Sequence, residues 1–179
     1  LEEIAMEKAG IIKQGVPVII GETQPQTHKI FRDVAKENSV EILFADREYV
    51  ATNIHRADDV LKGVTLDVLQ GDRSVYQSLD LPFGSGYQQK NALTVVAAVE
   101  QAKKAGFSLS RDAFHKGLSK VIMNTGFAGR WQVLGRAPLT ICDTGHNKDG
   151  ISQVVSQIKE LPFNHLHFVF GAVDDKDID

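Results

Sequence analysis

A chain of 179 residues with 42% hydrophobic and 24% charged residues can bury a proper core, and forms one large domain or one and a half small ones. A net charge of −3 argues against a nucleic-acid or polybasic membrane partner, and the apolar runs are far too short to span a bilayer. The lone Cys142 excludes a disulfide framework and a cysteine-based zinc site, and fits a reducing cytoplasm. The chain opens in helical spacing at residues 1–8, with no initiator methionine and no N-cap, which reads as the interior of a longer protein. Residues 16–20, between Gly15 and Gly21, form an apolar run expected as a strand buried on both faces. A helix is predicted over 25–38 from Ile30, Phe31, Val34 and Ala35, with Pro25 in its first turn, and a second buried strand over 40–44. Strand, helix and strand make a parallel βαβ unit.

The texture then changes. Residues 49–54 read as a strand, and Val64, Leu66 and Val68 alternate with more polar neighbours before Gly71-Asp72 turns the chain into 74–79. A small antiparallel patch appended to the parallel sheet is expected. The clearest helix covers 88–105, with Ala92, Val95, Val96, Val99 and Ala102 as its apolar stripe and Gly106 closing it. Another helix is predicted over 111–120, capped by Ser110 and burying Ala113, Phe114, Leu118 and Val121. Residues 123–129 break both periodicities and mark a domain boundary, dividing the chain into 1–128 and 129–179. Strands over 131–134 and 139–142, a helix over about 149–161 and a strand over 166–170 follow.

Asp143-Thr144-Gly145-His146-Asn147 leaves the strand over 139–142 and precedes a helix. Its polar side chains thus stand at the carboxyl end of a strand, where open α/β sheets place ligands. Arg130 lies thirteen residues earlier, Gln88-Gln89-Lys90-Asn91-Ala92 opens the long helix, and Glu7-Lys8-Ala9-Gly10-Ile11-Ile12-Lys13 lies near the start. Taken singly, each has a bland reading: Asp143 as a helix cap, His146 as a loop histidine, Arg130 as a paired surface cation, Lys8 and Lys13 as solvated lysines, Asn91 as a first-turn residue. His165 and His167 share one face of a predicted strand, and Asp174-Asp175-Lys176-Asp177 reads as a solvated charged end. No G-x-x-x-x-G-K-[ST] phosphate loop occurs in the 179 residues. Gly84-Ser85-Gly86 lacks a third glycine, since Gln89 stands there, and reads as a plain loop.

In order and over nearly the whole chain, these motifs resemble the folylpolyglutamate synthase/dihydrofolate synthase family, ATP-dependent amide ligases related to the Mur ligases. The resemblance implies an α/β fold: residues 1–128 as the C-terminal part of a Mur-ligase-type ATPase domain, and 129–179 as the start of a Rossmann-like C-terminal domain. It implies that ATP phosphorylates a carboxylate of a folate or pterin acid (folylpolyglutamate, dihydropteroate or both) and that L-glutamate then displaces phosphate. Lys8 matches the family lysine that takes up carbon dioxide as a carbamate and so becomes an oxygen donor to Mg²⁺. Gln88 and Asn91 match the adenine-nucleotide pocket, Arg130 the residue that reaches ATP phosphate, and Asp143 a nucleotide contact. His146, with Asn147, falls near the transferred phosphoryl group and the incoming amino acid; His146 and Lys8 are the implied catalytic residues.

The sequence departs from the family pattern at Ala128, where many relatives have proline, at Gln132, where an acid is common, and at Thr144, Gly145 and Lys148. The missing phosphate loop, and family metal ligands expected upstream of residue 1, imply an internal fragment, inactive alone, of an enzyme that is monomeric and cytoplasmic when intact. Two rival readings are a Mur-type or other amino-acid ligase of the same superfamily, and a non-catalytic nucleotide-binding module.

Overall fold

The computed structural model describes residues 1–56, 63–82 and 86–171, as two compact units, Leu1–Gly126 and Phe127–Asp179. The Gly84-Ser85 part of the glycine-rich loop and the acidic stretch at 174–177 lie outside the described residues.

In the first unit, α1 (Glu2–Ala9) buries Ala5 and Ala9, one turn apart, and packs on α2 (His28–Glu37), which buries Ala35. Pro25 lies ahead of α2 in the turn that leads to its N-cap, Thr27, rather than inside the helix. Strands β1 (Val18–Ile20) and β2 (Ile42–Phe44) pair in parallel, Val18 opposite Ile42 and Ile20 opposite Phe44. The βαβ unit is therefore real, but β1 is only half-buried, not covered on both faces as its apolar run suggested. Among the described residues β2 is its only strand neighbour, so the sheet is too small for two-sided burial.

A single turn, α3 (Ala45–Glu48), leads into the antiparallel sheet of β3 (Val50–Arg56), β4 (Val64–Gln70) and β5 (Arg73–Leu81). The alternation read from sequence is observed: Val64, Leu66 and Val68 are at most 2% exposed. Gly71, at φ 56°, makes the tight turn between β4 and β5. This sheet is not an appendage. It carries the core of the unit, formed by Leu66, Val68, Tyr76 and Leu79 against one face of α4 (Gly86–Lys104).

The buried face of α4 is Ala92, Leu93, Val96 and Ala97, whereas Val95 is 41% exposed. Of the predicted stripe, Ala92 and Val96 are buried, Val99 and Ala102 are half-buried and Val95 is exposed, because the broad sheet takes residues at i, i+1, i+4 and i+5 and so adds Leu93 and Ala97 in its place. Ser110 caps α5 (Arg111–Ser119) as expected, accepting the Ala113 N–H at 3.1 Å, but Ala113 itself faces solvent. Part of the expected linker is helical: α6 (Val121–Thr125) runs up to Gly126, whose φ of 67° ends it.

The second unit is an antiparallel hairpin, β6 (Gln132–Arg136) and β7 (Leu139–Cys142), followed by α7 (Lys148–Glu160). The strand expected over 166–170 does not form, and Val169 is 96% exposed. An extended segment needs a neighbour to take its N–H and C=O groups, and among the described residues it has none.

Candidate functional site

Within the second unit, the turn that enters β6 and the loop that leaves β7 are laced into one structure by hydrogen bonds. Asp143 is the centre of this lacing. Its Oδ1 accepts the Gly145 N–H at 2.7 Å, an Asx turn that the Asp-Thr-Gly sequence could have announced. Its Oδ2 accepts the Trp131 N–H at 2.8 Å, twelve residues away, and nothing in the sequence pattern points to that bond. Trp131 has φ 47°, a left-handed conformation that costs a bulky residue of the order of 1–3 kcal/mol. The carboxylate holds the turn in this strained state.

Thr144 supplies the second lacing. Its N–H donates to the Gly129 carbonyl at 2.9 Å, and its hydroxyl donates to the same oxygen at 2.9 Å. Gly129 is buried at φ 75°, and a Cβ there would come within 2.8 Å of the Thr144 methyl, so only glycine fits. The Gly129 N–H donates to Gln132 Oε1 at 2.9 Å. Thus Gln132 supplies the oxygen that an acid would supply, and Thr144 is a site residue that the sequence reading missed.

Arg130 rides on this frame. Its Nη1 donates to the Gly129 carbonyl at 3.2 Å and also bonds the Thr144 hydroxyl. The other edge of the guanidinium, Nε and Nη2, has no partner among the described residues, which leaves a planar fork suited to a phosphate. His146 is exposed, with Nδ1 3.2 Å from the Thr144 carbonyl. Because a carbonyl can only accept, Nδ1 carries the proton in this contact, and the neutral ring keeps Nε2 as an acceptor. Asn147 caps α7, its Oδ1 accepting the Gly150 N–H at 2.7 Å. Arg130, Asp143, Thr144 and His146 therefore share one small structure.

In the first unit, Gln88 and Asn91 sit three residues apart on α4, and Asn91 Nδ2 donates to Gln88 Oε1 at 3.1 Å. This orients both amides. The Gln88 amide N–H groups and the Asn91 carbonyl oxygen are left without partners among the described residues, a donor and acceptor pair of the kind that reads an adenine edge. Beside them, Lys90 pairs with Glu22 at 3.0 Å at the carboxyl end of β1. There α4 crosses so closely that a Cβ on Gly21 would lie 2.7 Å from the Thr94 hydroxyl.

Lys8 is exposed on α1. A magnesium site needs several hard oxygen donors. Among the described residues no three His, Cys, Asp or Glu side chains converge, so these residues do not by themselves make one. His165 and His167 are both exposed in an irregular segment and belong to no such cluster.

No family model matches the chain. It is 26% identical over 178 residues to the dihydrofolate synthase/folylpolyglutamate synthase of Bacillus subtilis, covering 98% of this chain and 40% of that protein. It is 30% identical over 179 residues to the enzyme of the same name from Escherichia coli, covering 99% of this chain and 37% of that one. The chain thus spans about two fifths of the length of these relatives. Among solved structures, the folylpolyglutamate synthetase from Lactobacillus casei superposes with a TM-score of 0.74 at 26% identity, over 92% of this chain and 40% of that one. A folylpolyglutamate synthase solved with AMPPCP and folate gives a TM-score of 0.75 at 26% identity, over 90% of this chain and 38% of that one. Along nearly its whole length, in sequence and in fold, the chain is a homologue of the folylpolyglutamate and dihydrofolate synthases.

Proposed function

We propose that this chain is a working part of an ATP-dependent amide ligase that adds L-glutamate to folylpolyglutamate, dihydropteroate or both. The observation that carries the proposal is the free edge of Arg130, held by Gly129 and Thr144 within the unit that also presents His146. In this reading the Gln88 and Asn91 amides bond adenine, and the Arg130 fork takes phosphate oxygens. The acid carboxylate attacks the terminal phosphorus of ATP, releasing ADP and leaving an acyl phosphate. The glutamate amine then attacks the acyl carbon, the C–O bond to phosphate breaks, and His146 Nε2 accepts a proton as the amide forms. Positioning and charge neutralisation carry most of such a phosphoryl step.

Asp143 serves the nucleotide chiefly by folding the turn that carries Arg130, while the remaining lone pairs of its two oxygens stay available for a direct contact. Lys8, as a carbamate, would give one oxygen donor to Mg²⁺; no cluster of further ligands stands among the described residues. The chain alone is proposed to be inactive, because its 179 residues contain no phosphate loop. The intact enzyme is proposed to be a cytoplasmic monomer with no nucleic-acid or membrane partner; no described helix is long and apolar enough to cross a membrane.

The test is ATP hydrolysis by the longest reading frame that contains this chain, with dihydropteroate and folylglutamate assayed separately. Phosphate release that requires both glutamate and one of these acids supports the proposal. Release independent of both would overturn it.

A further inference from the structure

Strand β5 is irregular in a way that the nucleotide site does not use. Its register against β4 slips twice: Leu66 faces Leu79 and Val68 faces Tyr76, and the very next pair is Leu69 with Ser74. An extra residue therefore sits on β5 on each side of Tyr76. Ser78, in the first bulge, has φ 52°, and its N–H donates to Asp67 Oδ1 at 2.8 Å while Asn53 Nδ2 donates to Asp67 Oδ2 at 2.7 Å. In a regular strand Tyr76 and Gln77 would point to opposite faces. Here Ser74, Tyr76 and Gln77 all line one cleft of about 380 Å³, closed on its other side by Arg111 and His115 of α5. Bulges that re-aim side chains recur beside binding sites.

The lining is chemically one-sided. Arg111 and His115 are four residues apart and share a face of α5. Arg111 forms no ion pair among the described residues, and its guanidinium lies 5.9 Å above the Tyr76 ring; the His115 ring tilts against the same ring at 6.0 Å. Ser74 adds a hydroxyl and Gln77 an amide. No carboxylate lines the cleft among the described residues. The nearby acids are engaged: Asp112 pairs with Lys116 at 2.8 Å, and Glu100 with Lys103 at 2.8 Å.

We propose that the cleft between β5 and α5 is a binding site for a small oxyanion, a carboxylate or a phosphate ester, held by the Arg111 fork and completed by His115, Ser74 and Gln77. A guanidinium matches either anion with two parallel hydrogen bonds. The site lies outside the residues assigned to the nucleotide and does not depend on ligase activity.

The test is nuclear magnetic resonance of the whole chain at constant ionic strength, following the His115 and Arg111 side chains during titration with inorganic phosphate and, separately, with glutarate. Saturable shifts at both side chains are expected, and the tighter probe names the preferred class. Arg111→Ala should weaken that binding about tenfold or more, and Arg111→Lys should fall between, since charge is kept and the fork is lost. Arg111 is exposed, so both variants should fold, which the unchanged remainder of the spectrum would verify. No saturable shift at His115 with either probe, or equal affinity in Arg111→Ala, would overturn the proposal.

Discussion

Asp143 and Trp131 are joined by a 2.8 Å hydrogen bond from the tryptophan N–H to the carboxylate, and this bond ties the exit of β7 to the entrance of β6. It matters because no apolar side chain of the second unit is fully buried among the described residues. Polar lacing therefore bears an unusual share of the unit's stability.

Asp143→Ala removes the acceptor of two backbone N–H groups and should destabilise the second unit by about 2 kcal/mol or more, the scale of bonds to a charged group. Thr144→Ala should cost about 1 kcal/mol. Trp131 is the only tryptophan in the chain, so its fluorescence during urea unfolding reports this unit selectively. Unchanged midpoints in both variants would mean that the lacing is incidental.

The first unit should respond to pH through Tyr76, Glu100 and Lys103. Tyr76 donates to Glu100 Oε1 at 2.7 Å, and Lys103 donates to both the phenol oxygen and the carboxylate. Burial raises the Tyr76 phenol above its ordinary range, so its contribution is present below about pH 10 and lost as pH rises through the folded value. Burial pushes Glu100 upward, but the bonds from Lys103 and Tyr76 outweigh it and hold the carboxyl below its ordinary range. That contribution is present above about pH 4 and lost as pH falls further. Circular dichroism melts should show a plateau between these limits, and Glu100→Gln should flatten the acid limb.

Leu66 is fully buried at the centre of the antiparallel sheet. Leu66→Ala should cost about 2–5 kcal/mol, a large part of a domain's stability. Val95→Ala, at the one position of the expected apolar stripe that is exposed, should change stability by less than about 1 kcal/mol. Similar losses for the two would contradict the observed orientation of α4.

How legible each feature was depended on how local its cause is. The alternation of Val64, Leu66 and Val68 and the Gly71 turn depend on neighbours in sequence, and both were readable. So was Ser110 as a cap. The full face of α4 depends on the sheet of β3, β4 and β5: periodicity places Ala92 and Val96 on it, but does not show that Leu93 and Ala97 belong there and Val95 does not. Asp143 bonds Gly145 locally, which the sequence could suggest; its bond to Trp131 and Thr144's hold on Gly129 close loops of twelve to fifteen residues, which no periodicity encodes. The cleft beside Tyr76 depends on two register slips, invisible until β4 and β5 are paired.

The central claim, that the Arg130 fork and His146 serve phosphoryl transfer and amide formation, is tested most directly by glutamate-dependent phosphate release. The assay compares Arg130→Ala, Arg130→Lys and His146→Ala in the longest reading frame that contains this chain. Arg130→Ala and His146→Ala should each lower turnover about a hundredfold with little change in Trp131 fluorescence unfolding, and Arg130→Lys should not restore the full rate. Near-normal turnover in both alanine variants would contradict the assignment and leave this loop as a structural cap.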